Sequence, residues 1–130
     1  MFLDASAMIG ILAREPDAAA LAMRLAQAAD VYTSPIAIYE AMLGLARARN
    51  FSIRDADAVV DRFLDEVGAK IVPIGDEIGR EAIRAFERFG KGRHVAALGD
   101  CFAYACARDI DVPLLFSADG CHCRLRSARS

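Results

Sequence analysis

The chain has 130 residues and a formal net charge of −2, with 55% hydrophobic and 26% charged residues. This length suits one domain with its own core, and the composition is that of a globular rather than a disordered chain. The near balance of charges excludes a strongly basic protein, so any basic groove for nucleic acid must be local.

Short apolar runs alternate with helical patterns along the whole chain. The runs predict strands at residues 1–4, 31–33, 70–73 and 112–116. The 3.6-residue spacing of apolar side chains predicts helices at residues 7–12, 17–28, 35–49, 53–67, 74–89 and 100–107. Local signals mark helix boundaries at Pro16, Ser34, Ser52, Gly68 and Asp100. This alternation indicates an α/β fold whose parallel sheet is covered on both faces.

We expect neither a membrane span nor a secretory signal in this chain. No segment reaches the roughly 18 uncharged apolar residues of a spanning helix. Residues 1–4 carry an acid and no cationic leader. We therefore expect a cytoplasmic protein with reduced thiols, in which Cys101 and Cys106 are buried packing residues. The Cys-His-Cys run at 121–123 is too tightly spaced for a typical zinc site.

Four carboxylates stand apart from all other charge in the sequence. They are Asp4, Glu40, Asp100 and Asp119, each the only formally charged residue in its apolar stretch. A carboxylate in such surroundings is costly to desolvate, so it needs a cap, a cation or a metal ion. Four of them along the chain predict one acidic pocket assembled by folding, for which a divalent cation is the natural counter-ion.

Three of these four acids also have an ordinary structural explanation. Asp4 and Asp100 are suitable helix caps, and Asp119 followed by Gly120 is typical of a turn. Glu40 is harder to explain in this way, because a buried glutamate needs a partner. In parallel sheets ligands bind beyond the carboxyl ends of the strands, and all four acids are placed to reach that edge.

The ligand type indicates the chemistry. Carboxylates without a matching set of His or Cys favour Mg²⁺ or Mn²⁺ over Zn²⁺. Such an ion activates water and stabilises the oxygens of an in-line displacement at phosphorus. The acids therefore point to phosphodiester hydrolysis.

Five segments of the sequence carry a family resemblance. They are MFLDASA at 1–7, TSPIAIYEA at 33–41, residues 85–94 with their GKGRH ending, GDCFAYA at 99–105 and PLLF at 113–116. Together they resemble PIN-domain ribonucleases, and more narrowly the VapC toxins of bacterial toxin–antitoxin pairs. The resemblance covers residues 1 to about 119.

This resemblance implies a three-layer α/β/α PIN domain with a short central parallel sheet, spanning residues 1–130 as a single domain. It implies a Mg²⁺- or Mn²⁺-dependent endoribonuclease that forms a homodimer and is silenced by a VapB-like antitoxin. The family's acidic ligands fall on Asp4, Glu40 and Asp100, with Asp119 at a more variable fourth position. The hydroxyl of Ser6 would support the site from close by.

Two features depart from the family pattern. The segment before Asp100 is shorter than in relatives, and the tail from about residue 120 is atypical. They motivate a rival hypothesis, in which a catalytically weak PIN-like protein binds RNA or its antitoxin without cleavage. Lys91 and Arg93, in the basic loop, are candidate contacts to RNA phosphates, with a merely solvated loop as the equal alternative.

Overall fold

A computed structural model describes residues 1–89 and 98–117 of the chain. Within these ranges the strands are β1 Phe2–Leu3, β2 Tyr32–Thr33, β3 Lys70–Ile71 and β4 Leu114–Leu115. The helices are α1 Ala5–Leu12, α2 Ala18–Ala26, α3 Pro35–Arg49, α4 Ile53–Val67, α5 Asp76–Phe89 and α6 Leu98–Asp109. The strands form one parallel sheet in the order β3-β2-β1-β4. The predicted α/β class is confirmed.

Two apolar clusters cover the opposite faces of this sheet, because successive residues of a strand point to opposite sides. Phe2 and Leu114 pack with side chains of α5 and α6. Leu3 and Leu115 pack with side chains of α1, α2, α3 and α4. The four strand residues are fully or almost fully buried. The sheet therefore forms the middle of three layers, as predicted.

The predicted caps set the bounds of two long helices. The Ser34 hydroxyl accepts a hydrogen bond from the Ala37 N–H at 3.2 Å at the start of α3. The Ser52 hydroxyl accepts one from the Asp55 N–H at 3.1 Å at the start of α4. Gly68 ends α4 with a left-handed φ of 65°, which glycine adopts without steric cost.

The start of α6 differs from the prediction. The sequence places Asp100 at the cap of this helix, whereas α6 already includes Leu98 and Gly99. Asp100 therefore lies in the first turn, and the capping interpretation of this residue is wrong. A Gly-Asp pair is typical of a helix boundary, but packing of α6 against α5 and α3 overrides that local preference.

Cys101 and Cys106 are buried in α6, as predicted. The Cys-His-Cys run at 121–123 lies outside the described residues. Among the helices of the described ranges, none is both long and apolar enough to cross a bilayer.

The buried thiol of Cys106 makes the stability of the fold depend on pH in the alkaline range. Burial raises its pKa to about 11 from 9.0, the charge of Asp109 adds to this, and a hydrogen bond with Ser34 opposes it. Between these two pH values the unfolded chain binds fewer protons than the folded protein. Stability should therefore fall as pH rises through this interval, by up to about 3 kcal/mol. Denaturant unfolding should show a larger loss in the wild type than in Cys106→Ala, and an equal loss in both would contradict the role of Cys106.

Candidate active site

The order of the strands creates a crevice at one edge of the sheet. From β1 the chain continues to β2 and β3 on one side, and later returns to place β4 on the other side of β1. Ligands of parallel sheets bind at such a switch point, beyond the carboxyl ends of the strands. The residues that follow β1 and β4, namely Asp4 and Ser117, therefore mark the candidate site.

Asp4 is held at this crevice by its backbone and by its side chain. Its N–H donates to the Leu115 carbonyl at 3.0 Å, which fixes it beside the end of β4. Asp4 is 2% exposed and occupies the N-cap position of α1, but its side chain makes no capping bond. Instead, Oδ2 accepts a hydrogen bond from the Ser6 hydroxyl at 2.7 Å. The side chain of Asp4 is therefore not explained as a helix cap.

Glu40 reaches the start of α6 from α3. The buried stripe of α3 is formed by Ala37, Ala41 and Leu45, and Glu40 lies beside it. The carboxylate of Glu40 lies directly against Gly99, where a β-carbon would overlap both carboxylate oxygens. The absence of a side chain at residue 99 therefore permits the approach of Glu40 to α6.

Asp100 follows Gly99 in the first turn of α6 and is 7% exposed. Helix α6 contacts both β1 and α3. The elements that carry Asp4, Glu40 and Asp100 therefore meet one another. An acid in the first turn also interacts favourably with the helix dipole.

The donor set fits a hard divalent cation in its chemistry. Asp4, Glu40 and Asp100 offer carboxylate oxygens, which Mg²⁺ and Mn²⁺ prefer. Within residues 1–89 and 98–117, no three Asp, Glu, His or Cys side chains are arranged to hold one ion. Asp4 bonds to Ser6 at the switch point, and Glu40 lies against Gly99. The convergence of the three carboxylates on one ion therefore stays a prediction.

Three of the predicted site residues fall outside the described ranges. They are Asp119, Lys91 and Arg93.

Two further residues join the site without having been predicted for it. The Ser117 N–H donates to the Ser6 hydroxyl at 3.0 Å. The Ser117 hydroxyl donates to Oδ2 of Asp17 at 2.7 Å. Asp17 follows Pro16 and was predicted only as a helix start. No local pattern indicates its bond to a residue so distant in the sequence.

Comparison with known proteins identifies the family. The PIN domain family matches residues 1–127. A VapC ribonuclease of Rhizobium meliloti is 34% identical, in an alignment that covers 91% of this chain and 93% of the relative. This chain belongs to the PIN-domain family, among the VapC ribonucleases. Ribonuclease VapC36 of Mycobacterium tuberculosis is 36% identical, with 88% of this chain and 83% of the relative covered.

A solved structure supports the fold of this PIN domain. It is the crystal structure of VapC20 from Mycobacterium tuberculosis, a sarcin–ricin loop cleaving toxin. The two chains superpose with a TM-score of 0.73 at 16% sequence identity, covering 98% of this chain and 93% of VapC20. The predicted PIN fold is confirmed.

Proposed function

We propose that this PIN domain is the metal-dependent endoribonuclease of a VapBC-type toxin–antitoxin pair. It hydrolyses RNA phosphodiester bonds with Mg²⁺ or Mn²⁺ held by Asp4, Glu40 and Asp100, and Asp119 assists them. The observation that carries the proposal is the buried carboxylate of Asp4 at the switch point of the sheet. A carboxylate in that position is costly unless it is paired or binds a cation.

The residues of the chain bind and orient the reacting groups. The bound cation supplies an activated water and stabilises charge at the phosphate. Ser6 donates to Asp4, and this charge-assisted bond fixes the direction of the carboxylate. Gly99 leaves room for the carboxylate of Glu40 at the start of α6. Asp4, Glu40 and Asp100 are thus each carried by a helix or by the end of a strand, which limits their movement.

The proposal includes a VapB-like antitoxin and a second copy of the chain as protein partners. Exposed apolar side chains on α5 and at the start of α6 support a protein contact. They are Ile83, Phe86 and Leu98, which are 69%, 46% and 66% exposed. A group of exposed apolar residues of this kind is typical of an interaction surface. Lys91 and Arg93 stay predicted contacts to the RNA backbone.

A cleavage assay on total RNA tests the proposal. The purified protein should cut RNA when Mn²⁺ or Mg²⁺ is added, and an excess of EDTA should stop the reaction. Restoring the metal should restore cleavage, because chelation leaves the fold in place. Intact RNA at every metal concentration, together with tight binding of the antitoxin, would instead support the rival hypothesis of a protein that binds without cutting.

A further inference from the structure

A row of hydrogen bonds runs from Asp4 to the start of α2. The Ser6 hydroxyl donates to Asp4 and accepts from the Ser117 N–H, at 2.7 and 3.0 Å. An ionised carboxylate can only accept, so the single proton of the Ser6 hydroxyl points to Asp4, and the Ser117 N–H takes a lone pair of the same hydroxyl. Ser117 is thus a second group that fixes the position of the Ser6 hydroxyl beside Asp4.

Ser117 is in turn held by Asp17. The Ser117 hydroxyl donates to Oδ2 of Asp17 at 2.7 Å, a short charge-assisted bond, and Ser117 is 1% exposed. This bond ties the end of β4 to the junction of α1 and α2. The backbone of Ser117 is thereby fixed where its N–H faces Ser6.

The hydrogen bonding of the Asp17 side chain is less favourable for stability than a helix cap would be. Asp17 occupies the N-cap position of α2, but its side chain makes no capping bond there. Its Oδ1 atom is buried and has no hydrogen-bond partner in the described part of the chain. A buried acceptor without a partner destabilises the fold. The Asp17 carboxylate therefore does not cap α2. Of its two oxygens, only Oδ2 is hydrogen-bonded within the described ranges, to the Ser117 hydroxyl.

We propose that Asp17 and Ser117 are positioning residues, which orient the carboxylate of Asp4 through Ser6. This inference rests on the proposed role of Asp4 as a metal ligand. Neither residue contacts the metal or the RNA in this proposal. Their effect is to hold the Ser6 hydroxyl where it orients the Asp4 carboxylate toward the cation.

Titration of Mn²⁺ into the full-length protein, with RNA cleavage measured in parallel, tests the proposal. Asp17→Ala should lower the Mn²⁺ affinity about tenfold, at the lower end of the effect of outer-shell groups on metal sites. Asp17→Asn should keep most of the affinity, because its amide oxygen still accepts from Ser117. Ser117→Ala should behave like Asp17→Ala, and the double variant should show no further loss.

A matched control separates positioning from stability. Ser52→Ala removes the cap of α4, away from the site, and lowers stability without a contact to Asp4. Its Mn²⁺ affinity should equal that of the wild type. In the metal-free protein, hydrogen exchange at the Ser117 amide should be faster in Asp17→Ala than in the wild type, because the bond that holds Ser117 in place is lost.

The outcomes distinguish this inference from the proposed function. If Asp4→Asn lowers Mn²⁺ affinity and Asp17→Ala does not, the positioning role is wrong and the nuclease proposal stands. If Asp4→Asn leaves both the Mn²⁺ affinity and the cleavage of RNA unchanged, the metal site is wrong and the positioning role fails with it.

Discussion

Replacement of Asp4 by asparagine should lower the rate of RNA cleavage by at least about 100-fold. A bound metal ion stabilises the transition state by several kcal/mol, and the loss of that stabilisation slows a reaction by factors of this size. Asparagine has nearly the same shape and still accepts a hydrogen bond from Ser6 through its amide oxygen. It lacks the negative charge that a divalent cation needs. The variant should therefore fold normally and lose activity because it binds the cation weakly.

The measurement is the initial rate of cleavage of a labelled RNA with Mn²⁺, together with a thermal unfolding curve. The Tm of Asp4→Asn should stay within about 5 °C of the wild-type value, since a neutral side chain at a buried position reduces the desolvation cost. Asp61→Asn is a matched control, because Asp61 is exposed on α4. Near-wild-type cleavage by Asp4→Asn would show that Asp4 is not a metal ligand.

Much of the fold could be predicted from local signals. Helix-capping signals act within one helical turn, so they can be recognised from the sequence alone. Those at Ser34, Ser52 and Gly68 are of this kind. The alternation of apolar runs with amphipathic helices indicates a parallel sheet for the same reason. The observed strands are shorter than the apolar runs, because pairing extends only over the residues that face a neighbouring strand.

The site could be predicted only in part. The isolation of Asp4 and Glu40 from other charge is visible in the sequence, and so is the family resemblance around them. The bond between Ser117 and Asp17 depends on β4 lying next to β1, which is a property of the tertiary structure. The contact of Glu40 with Gly99 likewise depends on how α3 packs against α6. Neither contact can be predicted from the local periodicity of the sequence.

The contact between Glu40 and Gly99 leads to the second prediction. Gly99→Ala should lower both Mn²⁺ affinity and RNA cleavage about 10- to 100-fold, which is the usual effect of removing a group that orients a metal ligand. The new β-carbon would occupy the space of the Glu40 carboxylate. That carboxylate is the end of a flexible side chain, so it should move away at little cost in stability. The predicted loss is therefore one of function, caused by a displaced ligand.

Gly79→Ala provides the matched control, because a β-carbon at residue 79 of α5 meets no atom within 4 Å from other parts of the described ranges. Alanine in a helix interior is more favourable than glycine by about 0.5–1 kcal/mol, so Gly79→Ala should be more stable and fully active. In Gly99→Ala, replacement of Glu40 by glutamine should cause little further loss of affinity, since the two changes act through the same carboxylate. If Gly99→Ala instead gains stability and retains wild-type Mn²⁺ affinity, Glu40 does not act as a ligand from this position. Full additivity of the two changes would mean that residue 99 affects the cation by a route other than Glu40.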